Sequence, residues 1–519
     1  MKRYLLTFFS LPFYSFLISQ TVLISNQNTI GGDQLDNVTS NVVNTDGSVL
    51  LLGESLSGIS GDKTTATFGM SDIWLVKLNS DLSISWQASY GGSDNDSEGK
   101  IISLQDGNFL IACSSESAVS GNKTVGTNGG HDFWLIKIDN NGTILWQQTY
   151  GGTGEERLVS ICEGTDGSIY MVGRSDSGVS GDKTEASYGL TDYWLVKTTD
   201  TGDIIWDKAY GGSQSEEPGG MVIDENGDLI ISGHSNSNTS GTKTEDSYGS
   251  EDYWLVKADS SGTPIWDRCY GGDDFDADCN VLTSQNSYYI SGVSLSGVSG
   301  LKTEPNYGIT DIWILKLDYS GSLIWQKSIG GNLSESVGMP TFTGDGQVLI
   351  PGSSFSDISG TKTEPNVGDL DYWLTSLDTS GTVLWDKNIG GTLWESCSGI
   401  FERNDNEYIL FGSSSSNISG DKDENSNGSN DFWVVTLSSD LGYLGVSPPT
   451  VLIYPNPSSG HFSFSQDVDN VAVYDTQGRM VHLETEKAIS LNLTNLSPGI
   501  YTVQFLFKGK VFSDRLIIK

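Results

Sequence analysis

The feature that most constrains the fold of this chain is an internal repeat of about 60 residues. A diglycine preceded by Tyr or Ile occurs seven times, and successive copies are 60 residues apart except for one step of 59. The seven copies are Gly31-Gly32, Gly91-Gly92, Gly151-Gly152, Gly211-Gly212, Gly271-Gly272, Gly330-Gly331 and Gly390-Gly391. A fixed period of this kind is typical of solenoids and propellers, in which every repeat forms one structural unit.

Tryptophan follows the same period. One set lies two residues after an Asp, at Trp74, Trp134, Trp194, Trp254, Trp313, Trp373 and Trp433. A second set follows twelve residues later, at Trp86, Trp146, Trp206, Trp266, Trp325 and Trp385. Because a buried Trp removes roughly 150–250 Å² from water, the two sets predict an aromatic core shared by neighbouring repeats. Of the 14 tryptophans, Trp394 alone lies outside both sets.

Each repeat contains four apolar segments that predict β-strands. In the third repeat these are residues 157–161, 168–172, 192–197 and 204–210, with turn sequences after the first and third. The last two segments are apolar on both faces, as expected for a sheet that is packed between two others. Seven such sheets arranged radially predict an all-β, seven-bladed β-propeller. A β-solenoid is the alternative, but its rungs are usually much shorter.

The two ends of the repeat array predict how the ring closes. The seventh repeat has its third strand at residues 431–435, but residues 438–444 contain neither a Trp nor a diglycine. Residues 21–32 match the missing fourth strand and its diglycine, with Asn26 at the Trp position. We therefore expect the N-terminal strand to complete the last blade and remove its unpaired edge. The propeller is predicted to span residues 20–446.

The N-terminal residues predict that the chain is exported. Met1-Lys2-Arg3 is positively charged, residues 4–18 are apolar and Ser19 precedes a plausible cleavage point, so residues 1–19 are predicted to be a secretory signal peptide. A membrane anchor is the alternative, but a span needs about 20 apolar residues. We expect no membrane-spanning segment. Five cysteines at Cys113, Cys162, Cys269, Cys279 and Cys397 are too few and too irregular to form a disulfide framework.

The 60-residue period stops at a proline-containing linker, residues 447–453. Beyond it, alternating apolar runs separated by turns predict a small β-sandwich over residues 454–519. Its motif residues are Tyr454, Pro455, Asn456, Pro457, Gly460, Gly478, Gly499 and Tyr501. This segment resembles the type A C-terminal sorting domain of the type IX secretion system of Bacteroidota. The resemblance implies recognition by the type IX secretion machinery, export through the outer membrane and removal of the domain. It also implies release from the cell or attachment to its surface.

Two polar residue types recur once in every repeat. A carboxylate follows each diglycine by four residues, at Asp36, Asp96, Glu156, Glu216, Asp276, Glu335 and Glu395. A lysine follows Ser-Gly in the long loop, at Lys63, Lys123, Lys183, Lys243, Lys302, Lys362 and Lys422. Both connections emerge on one face of a propeller, so we expect exposed structural ion pairs at this rim. A ring of Ca²⁺-binding carboxylates is the alternative, and the matched lysines disfavour it. We expect no metal and no cofactor.

The numbers and positions of basic, acidic and histidine residues exclude some functions and disfavour others. With 28 basic and 66 acidic residues the net charge is −38, which excludes a nucleic-acid binder that works through a basic face. His131 and His234, the two histidines of the repeats, are expected to be solvated loop residues, so a catalytic triad or a His-ligated metal is disfavoured. The arginines occupy four different repeat positions, and we expect no cluster of them; they are Arg157, Arg174, Arg268 and Arg403.

We favour a secreted, monomeric binding or interaction module with an unknown glycan or protein ligand. The alternative is a glycan-active hydrolase with an acidic pair at the propeller mouth, which the 66 acidic residues leave open. An enzyme should interrupt its repeats with insertions at one mouth, whereas this spacing varies by a single residue. We therefore consider an enzyme the less favoured interpretation, and no catalytic residue is assigned.

The candidate binding residues are Trp394, Leu35 and Phe275. All three occupy the position before the rim carboxylate, where other repeats carry Asn95, Glu155, Ser215 and Ser334. Exposed aromatic residues with polar surroundings often mark binding sites. We expect Trp394 and Leu35 to form an apolar patch close to the ring closure. The alternative is that Trp394 packs over the closure seam.

Overall fold

The computed structural model describes residues 21–519 except 45, 405–406, 441–452, 455, 476–478, 486 and 508–509. The predicted signal peptide, most of the predicted linker, and Pro455 and Gly478 of the C-terminal motif therefore lie outside the described residues. One compact unit spans Ile24–Ser438, and the second contains the described residues of the C-terminal segment. All regular secondary structure in the described part of the chain is β. Within that part, no helix has the length and apolar character needed to cross a membrane.

The first unit is a seven-bladed propeller with four antiparallel strands per blade, as the repeats predict. Blade 1 contains β2 (Asp36–Val43), β3 (Val49–Ser55), β4 (Asp72–Leu78) and β5 (Ile84–Tyr90). Blade 2 contains β6 (Asp96–Ser103), β7 (Phe109–Ser115), β8 (Asp132–Ile138) and β9 (Ile144–Tyr150). Blade 3 contains β10 (Glu156–Glu163), β11 (Ile169–Ser175), β12 (Asp192–Thr198) and β13 (Ile204–Tyr210).

The remaining blades repeat this order with one interruption. Blade 4 contains β14 (Glu216–Ile223), β15 (Leu229–Ser235), β16 (Asp252–Ala258) and β17 (Pro264–Tyr270). Blade 5 contains β18 (Asp276–Ser284), β19 (Ser287–Ser294), β20 (Asp311–Asp318) and β21 (Leu323–Ile329). Blade 6 contains β22 (Glu335–Val337), β23 (Thr341–Phe342), β24 (Val348–Ser354), β25 (Asp371–Leu377) and β26 (Val383–Ile389). Its first strand is split in two at Pro340, which has no N–H to donate to the ladder.

Blade 7 is completed by the N-terminal strand, which confirms the predicted closure. Its strands are β1 (Thr21–Ile30), β27 (Glu395–Asn404), β28 (Glu407–Ser414) and β29 (Asp431–Asp440), and they lie in the order β1-β29-β28-β27. The indole Nε1 of Trp433 donates to Gln27 Oε1 at 3.0 Å. In blade 3 the equivalent bond joins Trp194 to Asp207 at 3.0 Å. Gln27 therefore occupies the same register as Asp207, although it belongs to the opposite end of the chain.

The strand registers bring three polar positions of each blade to one edge. In blade 3, Glu156 at the start of β10 lies opposite Ser175 at the end of β11. Ser175 in turn lies opposite Asp192 at the start of β12. The connections between blades and the long loops, such as residues 176–191, extend from this same edge. We call this side of the propeller the loop face.

The first set of tryptophans forms the contact between blades. All seven are fully buried, and each of five packs on an aromatic ring of the preceding blade, as Trp254 does on Tyr193 with centroids 4.9 Å apart. The second set, such as Trp206, is only partly buried and packs at the margin of the same core. Neighbouring blades therefore share one aromatic layer, as predicted.

The described part of the C-terminal unit is a region of six paired strands with its own core. Its strands are β30 (Ile453–Tyr454), β31 (His461–Tyr474), β32 (Met480–Glu484), β33 (Ala488–Asn492), β34 (Gly499–Phe507) and β35 (Lys510–Ile518). The long strand β31 pairs with β30 and β33 through its first half and with β32 and β34 through its second half. Phe462, Phe464, Val503, Phe505 and Leu516 belong to the buried core of this unit.

Candidate functional site

The recurrent carboxylates of the loop face fasten the diglycine turns. In blade 3, Glu156 accepts the backbone N–H of Gly152 at 2.7 Å and the hydroxyl of Ser175 at 2.6 Å. All seven carboxylates are buried, with at most 3% of their surface exposed. The expectation of exposed rim carboxylates is therefore wrong, because the turn folds each acid inward to satisfy its own backbone. The seven positions are Asp36, Asp96, Glu156, Glu216, Asp276, Glu335 and Glu395.

The recurrent lysines are also buried, which corrects the expectation of surface ion pairs. Lys183 is 1% exposed and donates to Ser175 Oγ at 2.9 Å and to Ser187 Oγ at 3.0 Å. Ser175 thus links the ammonium of Lys183 to the carboxylate of Glu156 without a direct ion pair. Lys183 also lies 5.9 Å from the ring centroid of Trp194, a cation–π distance. Five other blades have the same stacking, at Lys63, Lys123, Lys302, Lys362 and Lys422.

A second buried carboxylate stands at the start of the third strand of every blade. Asp192 accepts the backbone N–H of Tyr188 through one oxygen, whereas its other oxygen has no hydrogen-bond donor. Burial, together with the nearby carboxyl group of Glu216, raises the pKa of Asp192. Burial likewise raises the pKa of Asp132 and Asp311 to about 7 and that of Asp72, Asp252 and Asp431 to about 6.

These polar groups recur in the blades and bond to the protein's own turns and hydroxyls. Among the described residues, no group of three or more His, Cys, Asp or Glu side chains has the arrangement of a metal site. The five cysteines are free thiols. A site specific to one ligand should instead be sought where one blade differs from the others.

One such region lies on the loop face of blades 2 to 4 and is charged. Arg157 and Arg174 are directly opposite each other on β10 and β11, so two arginines do meet there. They pair with Glu98 at 3.3 Å and Glu217 at 2.8 Å, respectively. The expectation that no arginines cluster is wrong, because positions far apart in one repeat become cross-strand neighbours.

The two propeller histidines belong to this charged region rather than to solvated loops. His131 is 4% exposed, and its Nδ1 lies 2.8 Å from Glu155 and 3.4 Å from Glu116. His234 is largely buried, with its Nε2 3.4 Å from Glu251. The arginines and histidines of this region therefore face carboxylates of the same region.

The loop face of blades 5 to 7 is apolar by comparison. Trp394 is 55% exposed, and its ring meets Phe355 edge-on with centroids 5.5 Å apart. Leu333 and Leu393 on the same side of the ring are each more than 40% exposed. The sequence singled out Trp394 but not Phe355, because the contact joins two loops that are 39 residues apart.

The three candidate binding residues lie at three different blade junctions. Trp394 is opposite Leu370, where blade 6 meets blade 7. Leu35 is opposite Asn430 at the ring closure, and Phe275 is opposite Glu251 between blades 4 and 5. Leu35 and Trp394, which we expected to share one patch, belong to different junctions. The ring that contacts Trp394 is that of Phe355.

The described residues of the C-terminal motif make their contacts within their own unit, and Asn456 anchors its last strand. Asn456 accepts the N–H of Ile517 at 2.9 Å and donates to the carbonyl of Arg515 at 2.5 Å. Gly460 has a φ of 103°, and a Cβ there would meet the backbone of Thr494 at 2.8 Å. Tyr501 donates its hydroxyl to the carbonyl of Ser497 at 2.8 Å. The motif residues therefore hold the fold of this unit together.

Comparison with known proteins assigns the C-terminal unit. Residues 452–519 match the family model of the secretion system C-terminal sorting domain. The chain is also 23% identical over 378 residues to the regulatory protein FlaEY of Caulobacter vibrioides, an alignment that covers 66% of this chain and 39% of that protein. The chain thus spans about two fifths of the length of this relative.

Several solved structures are similar to the propeller at low sequence identity. A protein of unknown function from Dyadobacter fermentans is 11% identical, with 81% of this chain and 99% of that chain covered and a TM-score of 0.42. The hydrazine synthase of Kuenenia stuttgartiensis is 10% identical over 72% of this chain and 92% of that chain, with a TM-score of 0.41. The polysaccharide lyase Uly1 is 11% identical over 79% of this chain and 90% of that chain, with a TM-score of 0.42.

Two parts of the chain are now identified. The family match and the motif residues identify the C-terminal unit, and the seven closed blades identify the propeller. The sorting domain indicates export to the cell surface or beyond it, implies an interaction with the secretion machinery, and implies an origin in the Bacteroidota. The chain is a seven-bladed β-propeller that carries a type IX secretion sorting domain at residues 452–519.

Proposed function

We propose that this protein is an exported binding module whose ligand, a glycan or a partner protein, docks on the loop face at Trp394. The observation that carries the proposal is the exposure of Trp394, which has 55% of its surface in solvent at a position where the six other blades carry different residues. A packing need common to all blades does not account for an indole in one of them.

The surroundings of Trp394 support a docking role. Its backbone N–H donates to Ser415 Oγ at 3.1 Å, and its carbonyl accepts the N–H of Ser415 at 2.9 Å. Phe355 supports one edge of the indole and leaves much of the ring in solvent. A flat aromatic surface held in place suits stacking on a sugar ring or on a partner side chain, and fixing it beforehand lowers the entropy cost of binding.

The charged region of blades 2 to 4 supports binding more than catalysis. Arg157, Arg174 and His131 each face a carboxylate within 3.4 Å. Such mutual pairs hold the side chains in place and direct their polar atoms at one another, whereas the catalytic carboxyl groups of a glycan hydrolase must face the substrate. A glycan-active hydrolase remains the alternative outcome of the test below.

Export supplies the context for this role. In this proposal residues 1–19 are a signal peptide, residues 20–446 the propeller, residues 447–453 a linker and residues 454–519 the sorting domain, which is removed after export. The propeller then acts as a monomer, either released or attached to the surface. Its separate compact core, Ile24–Ser438, supports independent folding.

The experiment is a glycan and protein array probed with the full chain, together with a hydrolase screen on the glycans that bind. We expect selective binding to one class of ligand and no turnover of it. Turnover of a bound glycan would replace the proposal with the hydrolase alternative. An array on which the protein binds nothing selectively would contradict the proposal.

A further inference from the structure

A cavity of about 470 Å³ lies on the axis of the propeller. Its wall takes residues from the first strand, or the first-strand segment, of all seven blades, which places it at the centre of the ring. One residue from each blade is Thr39, Lys100, Ser160, Gly219, Asn280, Met339 and Ser398. This volume falls within the range of sites that hold small organic molecules, about 300–1,000 Å³.

The wall of this axial cavity contains one cation and no carboxylate among the described residues. This composition is unusual for a chain with 66 acidic and 28 basic residues. Lys100 lies eight residues after its diglycine, and the six other repeats have uncharged residues there. Those residues are Ser40, Ser160, Gly220, Asn280, Met339 and Gly399. The lysine is therefore a feature of one blade and not a requirement of the propeller.

The ammonium of Lys100 has donors to spare, whereas two hydroxyl groups of the wall each have a close acceptor. Thr39 Oγ1 donates to the carbonyl of Gly99 at 2.7 Å, and Ser398 Oγ donates to that of Val38 at 2.7 Å. Among the residues that the structure describes, Lys100 Nζ has one acceptor, the carbonyl of Thr39, at a distance of 3.4 Å. An ammonium carries three donors, and a contact of 3.4 Å is a long hydrogen bond.

The carboxylate of Glu98, two residues before Lys100 in the sequence, already has other partners. Glu98 accepts the hydroxyl of Ser114 at 2.7 Å and faces the guanidinium of Arg157 at 3.3 Å. Burial lowers the pKa of Lys100, and the charge of Glu98 opposes that shift only in part. Lys100 is partly buried, and an ammonium whose pKa is lowered on burial is one whose charge lacks a close partner.

We infer that the axial cavity binds a small organic anion, with Lys100 as the group that holds its negative charge. The rest of the wall indicates that the uncharged part of the ligand is apolar. The wall there contains Ile101, Ile161, Val337 and Phe411. A short aliphatic carboxylate satisfies both requirements: its carboxylate accepts from Lys100, and its chain contacts the apolar wall. This site is separate from Trp394 and does not depend on the proposed function.

The test measures binding of hexanoate and of uncharged hexan-1-ol to the full chain by isothermal titration calorimetry. We expect hexanoate to bind about ten-fold more tightly, since its charge is met by the ammonium. Lys100→Met should abolish this preference. Lys208→Met is the matched control, because Lys208 lies outside the cavity and pairs with Glu185 at 2.7 Å; it should keep the preference.

Moving the lysine to another blade separates the role of Lys100 in binding from any role in folding. In the double variant Lys100→Ser with Ser160→Lys, the lysine moves to the equivalent position of the next blade, and the preference for hexanoate should return. Equal binding of hexanoate and hexan-1-ol to the wild type would overturn the inference. Retention of the preference in Lys100→Met, with normal thermal unfolding, would overturn it as well.

Discussion

At the scale of single residues, each junction between blades buries ionisable side chains that are usually found at surfaces. In blade 3 they are Glu156, Lys183 and Asp192, of which none is more than 1% exposed. One cation and two carboxylates do not balance, so one of the acids is most stable in its protonated form. The acid with the raised pKa is Asp192, and its oxygen that has no donor lies beside Glu216 of the next blade, so a proton on Asp192 would supply a donor there.

Lys183→Ala is expected to destabilise the propeller by about 2–4 kcal/mol, far more than loss of an exposed ion pair. The reason is that Glu156 would lose the buried cation to which Ser175 connects it. Chemical denaturation of the variant measures this loss. Lys208→Ala, which removes a lysine one-third exposed, is the control and should cost about 1 kcal/mol or less. A loss below 1 kcal/mol for Lys183→Ala would contradict the buried arrangement.

The buried aspartates predict that the protein is more stable at pH 5 than at pH 8. The pKa of Asp132 and Asp311 is raised to about 7 and that of Asp72 to about 6, whereas an unfolded Asp titrates at about 3.9. The folded state therefore holds protons that the unfolded state releases. Their contribution is complete below about pH 4 and is lost as the pH rises through 6 to 7. Thermal unfolding measured at both pH values tests this.

A single substitution isolates this effect. Asp192→Asn keeps the acceptor for Tyr188 and supplies a permanent donor towards Glu216, so it should stabilise the protein at pH 8 by about 1 kcal/mol and change little at pH 5. Asp203→Asn, in an exposed turn, is the matched control and should show no such pH dependence. Equal effects of Asp192→Asn at the two pH values would rule out a proton held at this position.

At the scale of elements, each 60-residue repeat forms one blade, and strand β1 closes the ring by completing the last blade. Besides its place beside β29, this strand reaches the neighbouring blade: Asn28 Nδ2 donates to the carbonyl of Leu82 at 2.8 Å. Asn26 replaces the Trp of the other blades and donates to the carbonyl of Asp81 at 3.1 Å. One N-terminal strand thus joins the last blade to the first.

Deleting residues 21–30 should lower the unfolding temperature by several degrees and make the Trp433 environment more polar. The deletion removes Gln27, which holds the Trp433 indole, and exposes the edge of β29. Differential scanning calorimetry and tryptophan fluorescence report the two effects. The single substitution Gln27→Ala should give a smaller loss in the same direction. Unchanged unfolding after the deletion would contradict closure by β1.

The sequence allowed the blades, their number and the closing strand to be predicted, because period, turns and Trp positions are local signals. It did not allow the burial of Lys183 to be predicted, since nothing in Ser-Gly-X-Lys shows that the loop folds back over Trp194. Nor did it predict the meeting of Arg157 and Arg174, which depends on the register of β10 against β11. Contacts made by register or loop folding require the three-dimensional structure.

At the scale of the whole molecule, the propeller and the sorting domain are separate compact units. The core of Phe462, Phe464 and Phe505 belongs to the C-terminal unit alone, and the blades have their own cores. The family match covers only the C-terminal unit. Export and ligand binding can therefore be tested independently.

Removal of residues 454–519 should leave the propeller folded but retained in the periplasm. The deletion removes Asn456 and the strands that it anchors, so the secretion machinery has nothing to recognise. Cell fractionation locates the protein, and near-ultraviolet circular dichroism of the purified product checks its tryptophan packing. A truncated protein that reaches the medium at the normal level would contradict a sorting role for this unit.

The decisive measurement for the proposed binding function is the affinity of Trp394→Ala for the ligand class found on the array, determined together with its unfolding temperature. Because Trp394 is 55% exposed, we expect a stability loss of about 1 kcal/mol or less and a loss of ligand affinity of at least about ten-fold. Val179→Ala is the matched control, since Val179 is 66% exposed at the equivalent loop position of blade 3, outside the apolar region of blades 5 to 7, and should leave binding unchanged. Unchanged affinity in Trp394→Ala, or a strongly lowered unfolding temperature that identifies the indole as a packing residue, would contradict the docking role of the loop face.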